Sequence, residues 1–167
     1  TGAYIPKTSV DGGIIKGTTL RSGVEDDGSL YLESIFVGGK QKHNQIKVST
    51  KDGSYIGSLP ENGDGLTYRF SDMGNNYETV RFSKSKENGI AKFIFVNQAK
   101  PLTVTLMGQS KYSYTLTQTI KSSISKSFQL SFLMLQMDSL KTAKEKAEYF
   151  NFELDKKKNK NADDFAN

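Results

Sequence analysis

The amino-acid sequence predicts a mainly β protein: an antiparallel β-sandwich or partly open barrel of about nine or ten short strands with a C-terminal helix. Three observations predict this fold class. Short apolar or alternating segments recur roughly every ten residues, which is the rhythm of a sandwich or barrel. Gly, Asn and Asp separate these segments, and tight turns use these residues. Ten Phe and eight Tyr offer bulky core side chains in a chain that is only 35% hydrophobic.

Alternation of apolar and polar residues places nine strands in a single domain of residues 13–154. The predicted strands are Gly13–Leu20, Leu30–Val37, Gln45–Thr50, Ser54–Leu59, Leu66–Ser71, Tyr77–Ser83, Ile90–Val96, Leu102–Met107 and Tyr112–Thr119. Residues 1–12, which contain Pro6 and an Asp11-Gly12 turn, form an N-terminal segment ahead of that domain.

Two hairpins are predicted from their turn residues. A two-residue Asp52-Gly53 loop fits a type I′ turn, and that turn would pair Thr50 with Tyr55 and Ile46 with Leu59 on an apolar inner face.

The second hairpin joins residues 66–71 to residues 77–83 across residues 72–76. Its arginines, Arg69 and Arg81, alternate with the large apolar side chains. We therefore expect both arginines to point to solvent.

The C-terminal part of the chain is predicted to end in a helix. Residues 128–137 fit a strand with a bulge, and the alternative is a buried helical turn continuous with the helix after it. Residues 138–154 read as a helix, and residues 155–167 as a charged, disordered tail. The helix carries an apolar stripe that we expect to pack on a sheet face: Leu140, Ala143, Ala147, Phe150 and Leu154.

Composition excludes several kinds of chemistry. The chain has no cysteine, which excludes disulfides, thiolate metal sites and a Cys nucleophile. The sequence contains no run of about 18 apolar residues and therefore predicts no transmembrane helix. The net charge is +5, and residues 61–126 hold most of the excess, with nine Lys or Arg against five acids.

No catalytic or metal-binding motif is recognisable, so we expect no enzyme activity and no cofactor. The only histidine, His43, lies in a predicted loop and is interpreted as a solvated side chain. The acidic segments 25–28 and 61–65 lack the ligand spacing of a calcium loop and are interpreted as Asx-Gly turns.

One basic surface is the remaining candidate site. Five cationic residues fall on neighbouring predicted strands or their ends, close to aromatic residues: Arg69, Arg81, Lys84, Lys86 and Lys92. Basic grooves with aromatic platforms bind polyanions. The aromatic side chains, however, alternate to the face opposite the arginines, which favours an aromatic core with a solvated basic face.

In style, the chain resembles the mature part of small exported lipoproteins from Bacteroidetes-type bacteria. The shared features are the absence of Cys, the Tyr/Lys/Asn/Gly bias, Asx-Gly hairpins such as residues 49–55, and the order of strands followed by a helix. The resemblance implies a lipidated Cys just before Thr1 and a location in the periplasm or at the cell surface. It would be the chain's only link to a membrane.

From this resemblance and the missing catalytic motifs we expect a non-catalytic binding or structural domain of the cell envelope, whose partner is an envelope protein or a glycan. The alternative is a polyanion-binding module that uses the basic face of residues 61–126, for an acidic glycan or a nucleic acid. Nucleic acid is the less expected of these two ligands.

Overall fold

A computed structural model describes residues 2–7, 9, 17–61 and 67–166, with side chains described as far as residue 160. The chain divides into two units, Thr1–Phe132 and Leu133–Asn167. The predicted Asp11-Gly12 turn, the first four residues of the predicted strand Gly13–Leu20, residue Leu66 and most of the acidic segment 61–65 lie outside the described residues.

The described part of the first unit confirms the predicted β-sandwich, with nine strands in two antiparallel sheets. The sheets are open and do not close into a barrel. The strands are β1 (Ala3–Tyr4), β2 (Thr19–Glu25), β3 (Leu30–Gly38), β4 (Gln45–Thr50), β5 (Tyr55–Gly57), β6 (Thr67–Asp72), β7 (Asn75–Ser83), β8 (Leu102–Met107) and β9 (Lys111–Thr115). Two helices accompany them, α1 (Ile90–Val96) and α2 (Gln118–Ala166).

The five-stranded sheet has the order β1-β2-β3-β7-β6, and the four-stranded sheet has the order β5-β4-β8-β9. Every neighbouring pair is antiparallel. The connection from β3 to β4, residues 39–44, crosses from the first sheet to the second. This connection becomes the centre of the candidate site.

One apolar core joins both sheets and the two helices. Alternate residues of the central strands supply it, as period-two alternation predicts. The fully buried members are Leu20, Leu32, Val80 and Phe82 from the first sheet, Ile46, Val48, Leu102, Val104 and Leu106 from the second, Ile90 and Ile94 from α1, and Ile124 from α2.

The hairpin at Asp52-Gly53 exists, but the predicted register was wrong by one residue. Ser49 pairs with Tyr55, so the loop has three residues and only Gly53, at φ 94°, has positive φ. Asp52 accepts hydrogen bonds from Thr50 and from the Ser54 N–H, which favours this Asx turn over a type I′ turn. As a consequence Tyr55 is exposed rather than on the inner face.

The second hairpin is tighter than predicted. Asp72 pairs with Asn75, and the two central residues, Met73 at φ 46° and Gly74 at φ 81°, form the type I′ turn. The sequence-based prediction had placed the five residues 72–76 in this connection.

Residues 90–96 are a helix, α1, and the predicted strand was wrong. Ile90, Ala91 and Ile94 are buried at helical spacing. The Glu87 carboxylate accepts hydrogen bonds from the N–H groups of Gly89 and Ala91 and so caps the first turn. Alternating Phe residues suggested a strand, but this cap and the core contacts decide for the helix.

Residues 128–137 are also helical and continuous with the C-terminal helix, so the strand was wrong. The alternative, a buried helical turn, is correct for the helix but not for its burial, since only Ser131 of these residues is buried. Helix α2 begins at Gln118 and reaches Ala166, far beyond the predicted bounds 138–154 and through the region expected to be a disordered tail. No Gly or Pro interrupts these residues, and Lys and Glu are good helix formers.

In the first unit, α2 packs by a stripe with a four-residue period. Ile120 and Ile124 are buried in the core, and Phe128 packs against it. Serines complete the buried side: the Ser127 hydroxyl lies 2.8 Å from that of Ser22, and Ser131 donates to the Gly28 carbonyl at 2.6 Å. These polar partners hid the helical stripe from an analysis of apolar residues alone.

The second unit consists of the rest of α2. Its predicted apolar stripe is not buried: the side chain of Leu140 is 70% exposed and that of Phe150 is 64% exposed. No helix in the described ranges is both long enough and apolar enough to cross a membrane.

Candidate functional site

His43 is not the solvated loop residue that the sequence predicted. It is completely buried, and both of its ring nitrogens have partners. Nδ1 lies 2.8 Å from the carboxylate of Glu78, and Nε2 lies 3.0 Å from the hydroxyl of Ser34. Ser34 on β3 and Glu78 on β7 are themselves buried. The three side chains therefore form a hydrogen-bonded polar cluster inside the sandwich.

Glu78 also binds the backbone of the loop that carries His43. Its two carboxylate oxygens accept hydrogen bonds from three consecutive N–H groups, those of Gln41 (3.1 Å), Lys42 (2.7 Å) and His43 (2.9 Å). Lys42 takes a positive φ of 47°, which helps to turn these N–H groups toward one point.

The pKa of Glu78 follows from this environment. Burial acts to raise the pKa, but the hydrogen bonds from the His43 ring and from the Lys42 and His43 N–H groups outweigh it and lower the pKa to about 2. The carboxylate is therefore ionised at neutral pH. It is a buried anion that accepts hydrogen bonds from three backbone N–H groups of the loop.

The same loop is fastened to the second sheet. The Gln41 side chain accepts a hydrogen bond from the Ser110 hydroxyl at 2.7 Å and donates to the Ser110 carbonyl. A Cβ atom at Gly108 would lie only 2.4 Å from the Gln41 carbonyl oxygen and 2.6 Å from that of Lys42. Only glycine allows the loop to pass this close, so residues 108–110 and Glu78 hold it from opposite sides.

The order Ser34–His43–Glu78 has the hydrogen-bond connectivity of a nucleophile, a base and an orienting carboxylate. The Ser34 side chain, however, is 0% exposed and faces the core between the sheets. A substrate cannot reach its hydroxyl in this conformation. The cluster accordingly fixes the loop and has no exposed reacting atom.

Outside this cluster lies a pocket of about 140 Å³. It opens between the loop and the β6–β7 hairpin, and its lining combines cations, aromatic rings and the Glu78 carboxylate: Lys40, Lys42, Arg69, Phe70, Ser71, Asn76, Tyr77 and Glu78. The rings of Phe70 and Tyr77 stack at 4.7 Å with an interplanar angle of 8°. Since β6 is an edge strand, residues from both of its faces border this cavity.

Arg69 connects the pocket to the cluster beneath it, which corrects the expectation that it points freely to solvent. Its guanidinium donates to the His43 carbonyl at 2.7 Å, and its Nε lies 3.6 Å from Glu78. Arg69 is thus the one predicted polyanion contact that the structure places in the pocket.

Arg81 does not point freely to solvent either, and it lies on the opposite face of the sheet. It donates to Glu33 at 2.9 Å, and Arg21 does the same from the other side. Its guanidinium also lies over the ring of Tyr31, 4.1 Å from the centroid. Arg21, Glu33 and Arg81 thus form a row of alternating charges across β2, β3 and β7, which we call the Glu33 ladder.

The remaining predicted contacts lie elsewhere. Lys84 and Lys86 belong to a 3-10 turn after β7, and Lys92 lies on α1. Lys86 forms an ion pair with Glu61 at 3.3 Å. The five predicted cations therefore do not form one surface.

Sequence reasoning missed Lys40, Lys42 and the role of His43. The available signal was the polar segment 38–44, in which two lysines precede the only histidine. Its partners Ser34 and Glu78 are 9 and 35 residues away from His43 and carry no recognisable spacing.

Of the two acidic segments, only residues 25–28 are fully described, since residues 62–65 lie outside the described part of the chain. Residues 25–28 form the predicted turn between β2 and β3, in which the Gly28 N–H donates to the Glu25 carbonyl at 2.9 Å. Across the described ranges, no group of three or more His, Cys, Asp or Glu side chains is arranged to hold a metal ion.

Comparisons of the chain with protein-family models, with curated protein sequences and with solved structures found no match. The site is therefore interpreted from its own geometry.

Proposed function

We propose that this chain is a non-catalytic binding domain of the bacterial cell envelope and that its pocket binds an anionic group. The observation that carries the proposal is the convergence of Lys40, Lys42 and Arg69 on one concave pocket. Within the described residues, neither lysine ammonium has an ion-pair partner. Two mobile cations beside a fixed guanidinium are suited to a carboxylate, sulfate or phosphate.

The rigidity of the loop supports binding rather than a random cluster of charges. Glu78 and Gly108 position the backbone of residues 41–43 from two sides, so Lys42 starts from a fixed backbone. A preorganised site loses less conformational entropy when a ligand binds. The Glu78 carboxylate is already hydrogen-bonded to three N–H groups and to the His43 ring, which weakens its repulsion of an incoming anion.

An acidic glycan fits this pocket better than a nucleic acid. A volume of about 140 Å³ admits one charged group and part of a sugar ring. Nucleic-acid binders without sequence preference need free aromatic faces for successive bases. Here Phe70 and Tyr77 stack on each other, and Tyr68 lies 5.5 Å from Phe70 in a tilted arrangement. The stacked pair leaves only one free face on Phe70 and one on Tyr77, which is fewer than successive bases require.

The non-catalytic part of the proposal is supported by burial. Among the described residues the hydrogen-bonded Ser34–His43–Glu78 series is the closest approach to a nucleophile with its base. Its hydroxyl lies in the core, while the pocket is lined by Glu78 alone among the three.

The binding test compares two charge-matched double variants. Lys40→Gln with Lys42→Gln removes two pocket cations, whereas Lys84→Gln with Lys92→Gln removes two exposed cations outside the pocket. The probe is a sulfated heparin oligosaccharide, titrated at several salt concentrations by calorimetry. We expect the pocket variant to lose at least about tenfold in affinity and to show a smaller salt dependence, with the control close to wild type.

Equal binding by the pocket variant and wild type would overturn the proposed pocket. A single-stranded oligonucleotide of equal charge is titrated in parallel. Tighter binding of the oligonucleotide would replace the glycan with nucleic acid as the ligand class.

The envelope location is supported by the resemblance to exported lipoproteins. Its test is the coding sequence upstream of Thr1, where we expect a signal peptide ending at a lipidated Cys. A different upstream sequence would remove the envelope from the proposal and leave the binding pocket untouched.

A further inference from the structure

Among its described residues, the helical second unit exposes eight large apolar side chains, and four of them lie along one line of the helix. The exposed fractions are 54% for Leu133, 70% for Leu140, 64% for Phe150 and 40% for Leu154. Large apolar side chains exposed together on one face of a helix often mark a surface that binds a partner. The line therefore needs a partner surface.

These residues follow alternating steps of three and four, which is the spacing of a heptad repeat. Leu133, Leu140, Ala147 and Leu154 occupy the a positions, and Gln136, Ala143, Phe150 and Lys157 occupy the d positions. We name these eight residues the seam. We propose that the seam pairs with the seam of a second copy of the chain to form a parallel two-stranded coiled coil.

The spacing favours another helix as the partner. A helix on a sheet presents a broad face with a 3.6-residue period, whereas strict seven-residue recurrence gives a narrow seam suited to a helix of the same repeat. Leu133, Leu140 and Leu154 recur at multiples of seven, and Ala147 completes the series. An identical helix offers the same repeat without any further assumption about a partner.

The available area indicates a reversible dimer. With about 200 Å² for a fully exposed Leu or Phe, the four large seam side chains expose roughly 450 Å² per chain. Two copies would bury roughly 900 Å² from these residues, and the neighbouring side-chain stems add to this. Stable interfaces usually bury about 1,200 Å² or more, so an interface of this size is at the weak end of specific association. We therefore expect association that depends on protein concentration.

Charge favours the parallel orientation. In a parallel pair, each g position faces the e position of the next heptad on the partner. The pairs are then Ser139 with Lys144, Lys146 with Asn151 and Glu153 with Lys158, none of which joins like charges. The one like-charge contact in the parallel seam is that of Lys157 with its own copy, at the last d position. An antiparallel pair that matches Leu140 with Phe150 would place Lys144 and Lys146 close to their own copies.

Two phenylalanines provide a matched test of the seam. Phe150 and Phe152 are 64% and 63% exposed, but only Phe150 is on the seam. Sedimentation equilibrium of the full chain is measured over a hundredfold range of concentration for wild type, Phe150→Lys and Phe152→Lys. We expect wild type and Phe152→Lys to dimerise with similar affinity, and Phe150→Lys to weaken dimerisation at least about tenfold.

Wild type that stays monomeric over the whole range would overturn the proposal, as would equal effects of the two substitutions. Circular dichroism of each variant confirms that the comparison is made between folded chains.

Orientation is tested by cross-linking, which the absence of native cysteine makes simple. Ala143→Cys at a d position should form a disulfide-linked dimer under mild oxidation, because identical d residues face each other only in a parallel pair. Glu145→Cys, at an outer f position, is the control. Failure of Ala143→Cys to cross-link in a chain that dimerises would overturn the parallel arrangement.

Discussion

Two glutamates of the five-stranded sheet are buried to a similar degree but by different means. Glu78 shares the core-facing side of its strand with Val80, whereas Glu33 lies on the opposite face of the sheet. Their exposed fractions are 3% and 7%. Glu78 is satisfied by three backbone N–H groups and a histidine ring, and Glu33 by the guanidinium groups of Arg21 and Arg81.

The difference shows that two carboxylates can be buried to a similar degree and still stabilise different parts of the structure. The partners of Glu33 are long side chains at the sheet surface, which can return to water when the acid is removed. The partners of Glu78 are fixed N–H groups in a loop between the sheets, which would remain buried without an acceptor. Glu78 therefore supports tertiary structure, while Glu33 stabilises neighbouring strands.

The largest expected effect tests this contrast directly. Glu78→Ala should lower the free energy of unfolding by about 3–5 kcal/mol, because it leaves several buried donors unpaired. Glu33→Ala should lower it by only about 1 kcal/mol, since its partners are partly exposed. Urea denaturation of both variants measures the difference. Equal losses would show that the contrast between the two sites is wrong.

The two glutamates should also contribute differently to the loss of stability in acid. The pKa of Glu78 is about 2 in the folded chain against a usual 4.5, so its stabilisation of about 3 kcal/mol is fully present above pH 4.5 and is lost as the pH falls toward 2. Glu78→Gln should remove this part of the acid dependence, and Glu33→Gln should retain it. Unfolding free energies measured from about pH 6 down to pH 2.5 give the comparison. A Glu78→Gln curve parallel to wild type would contradict it.

A smaller effect is expected at the other side of the loop. Gly108→Ala should lower stability by about 1–3 kcal/mol, because the new methyl group would meet the carbonyl oxygens of Gln41 and Lys42. Gly39→Ala is the control, since a Cβ there would have no neighbour within 4 Å. Thermal unfolding of both variants measures the effect. A loss at Gly39 as large as that at Gly108 would mean that backbone preference, and not contact with the loop, is responsible.

The smallest effect belongs to the Glu33 ladder. Arg21→Gln should change the free energy of unfolding by no more than about 1 kcal/mol, since Arg81 still pairs with Glu33. The effect should shrink further at high salt, which screens partly exposed charges. Urea midpoints at low and high salt measure it. If Arg21→Gln lost as much stability as Gly108→Ala and the loss did not depend on salt, the Glu33 ladder would be as important for stability as the loop contacts.

Much of the fold was predictable because its signals are local. Alternation in residues 45–50 and 102–107 predicted β4 and β8 with their exact bounds. Prediction was wrong where tertiary contacts compete with alternation. In α1, the Glu87 cap and the buried side of Ile90 and Ile94 outweighed the strand-like spacing of the phenylalanines. In α2, hydrogen-bonded serines took positions that apolar residues usually mark.

The candidate site was predictable only in part. Arg69 was named from its place in the alternating pattern of its strand, and it does line the pocket. Lys40 and Lys42 were assigned to a loop without a role, because a loop has no periodicity that shows which residues converge. The ladder that engages Arg81 depends on the register of three strands, which the turn residues alone did not give.

By itself, the sequence determined the class of fold, the alternating core faces of the central strands and the positions of most turns, because side-chain period and backbone preference act within a few residues. Tertiary structure decided that His43 is buried. An isolated histidine in a polar loop is ordinarily hydrated, but here the loop crosses between two sheets. Ser34 of β3, Glu78 of β7 and Gly108 of the β8–β9 turn all meet it there. The compensation for its burial comes from those strands, so no local pattern in residues 38–44 could have revealed it.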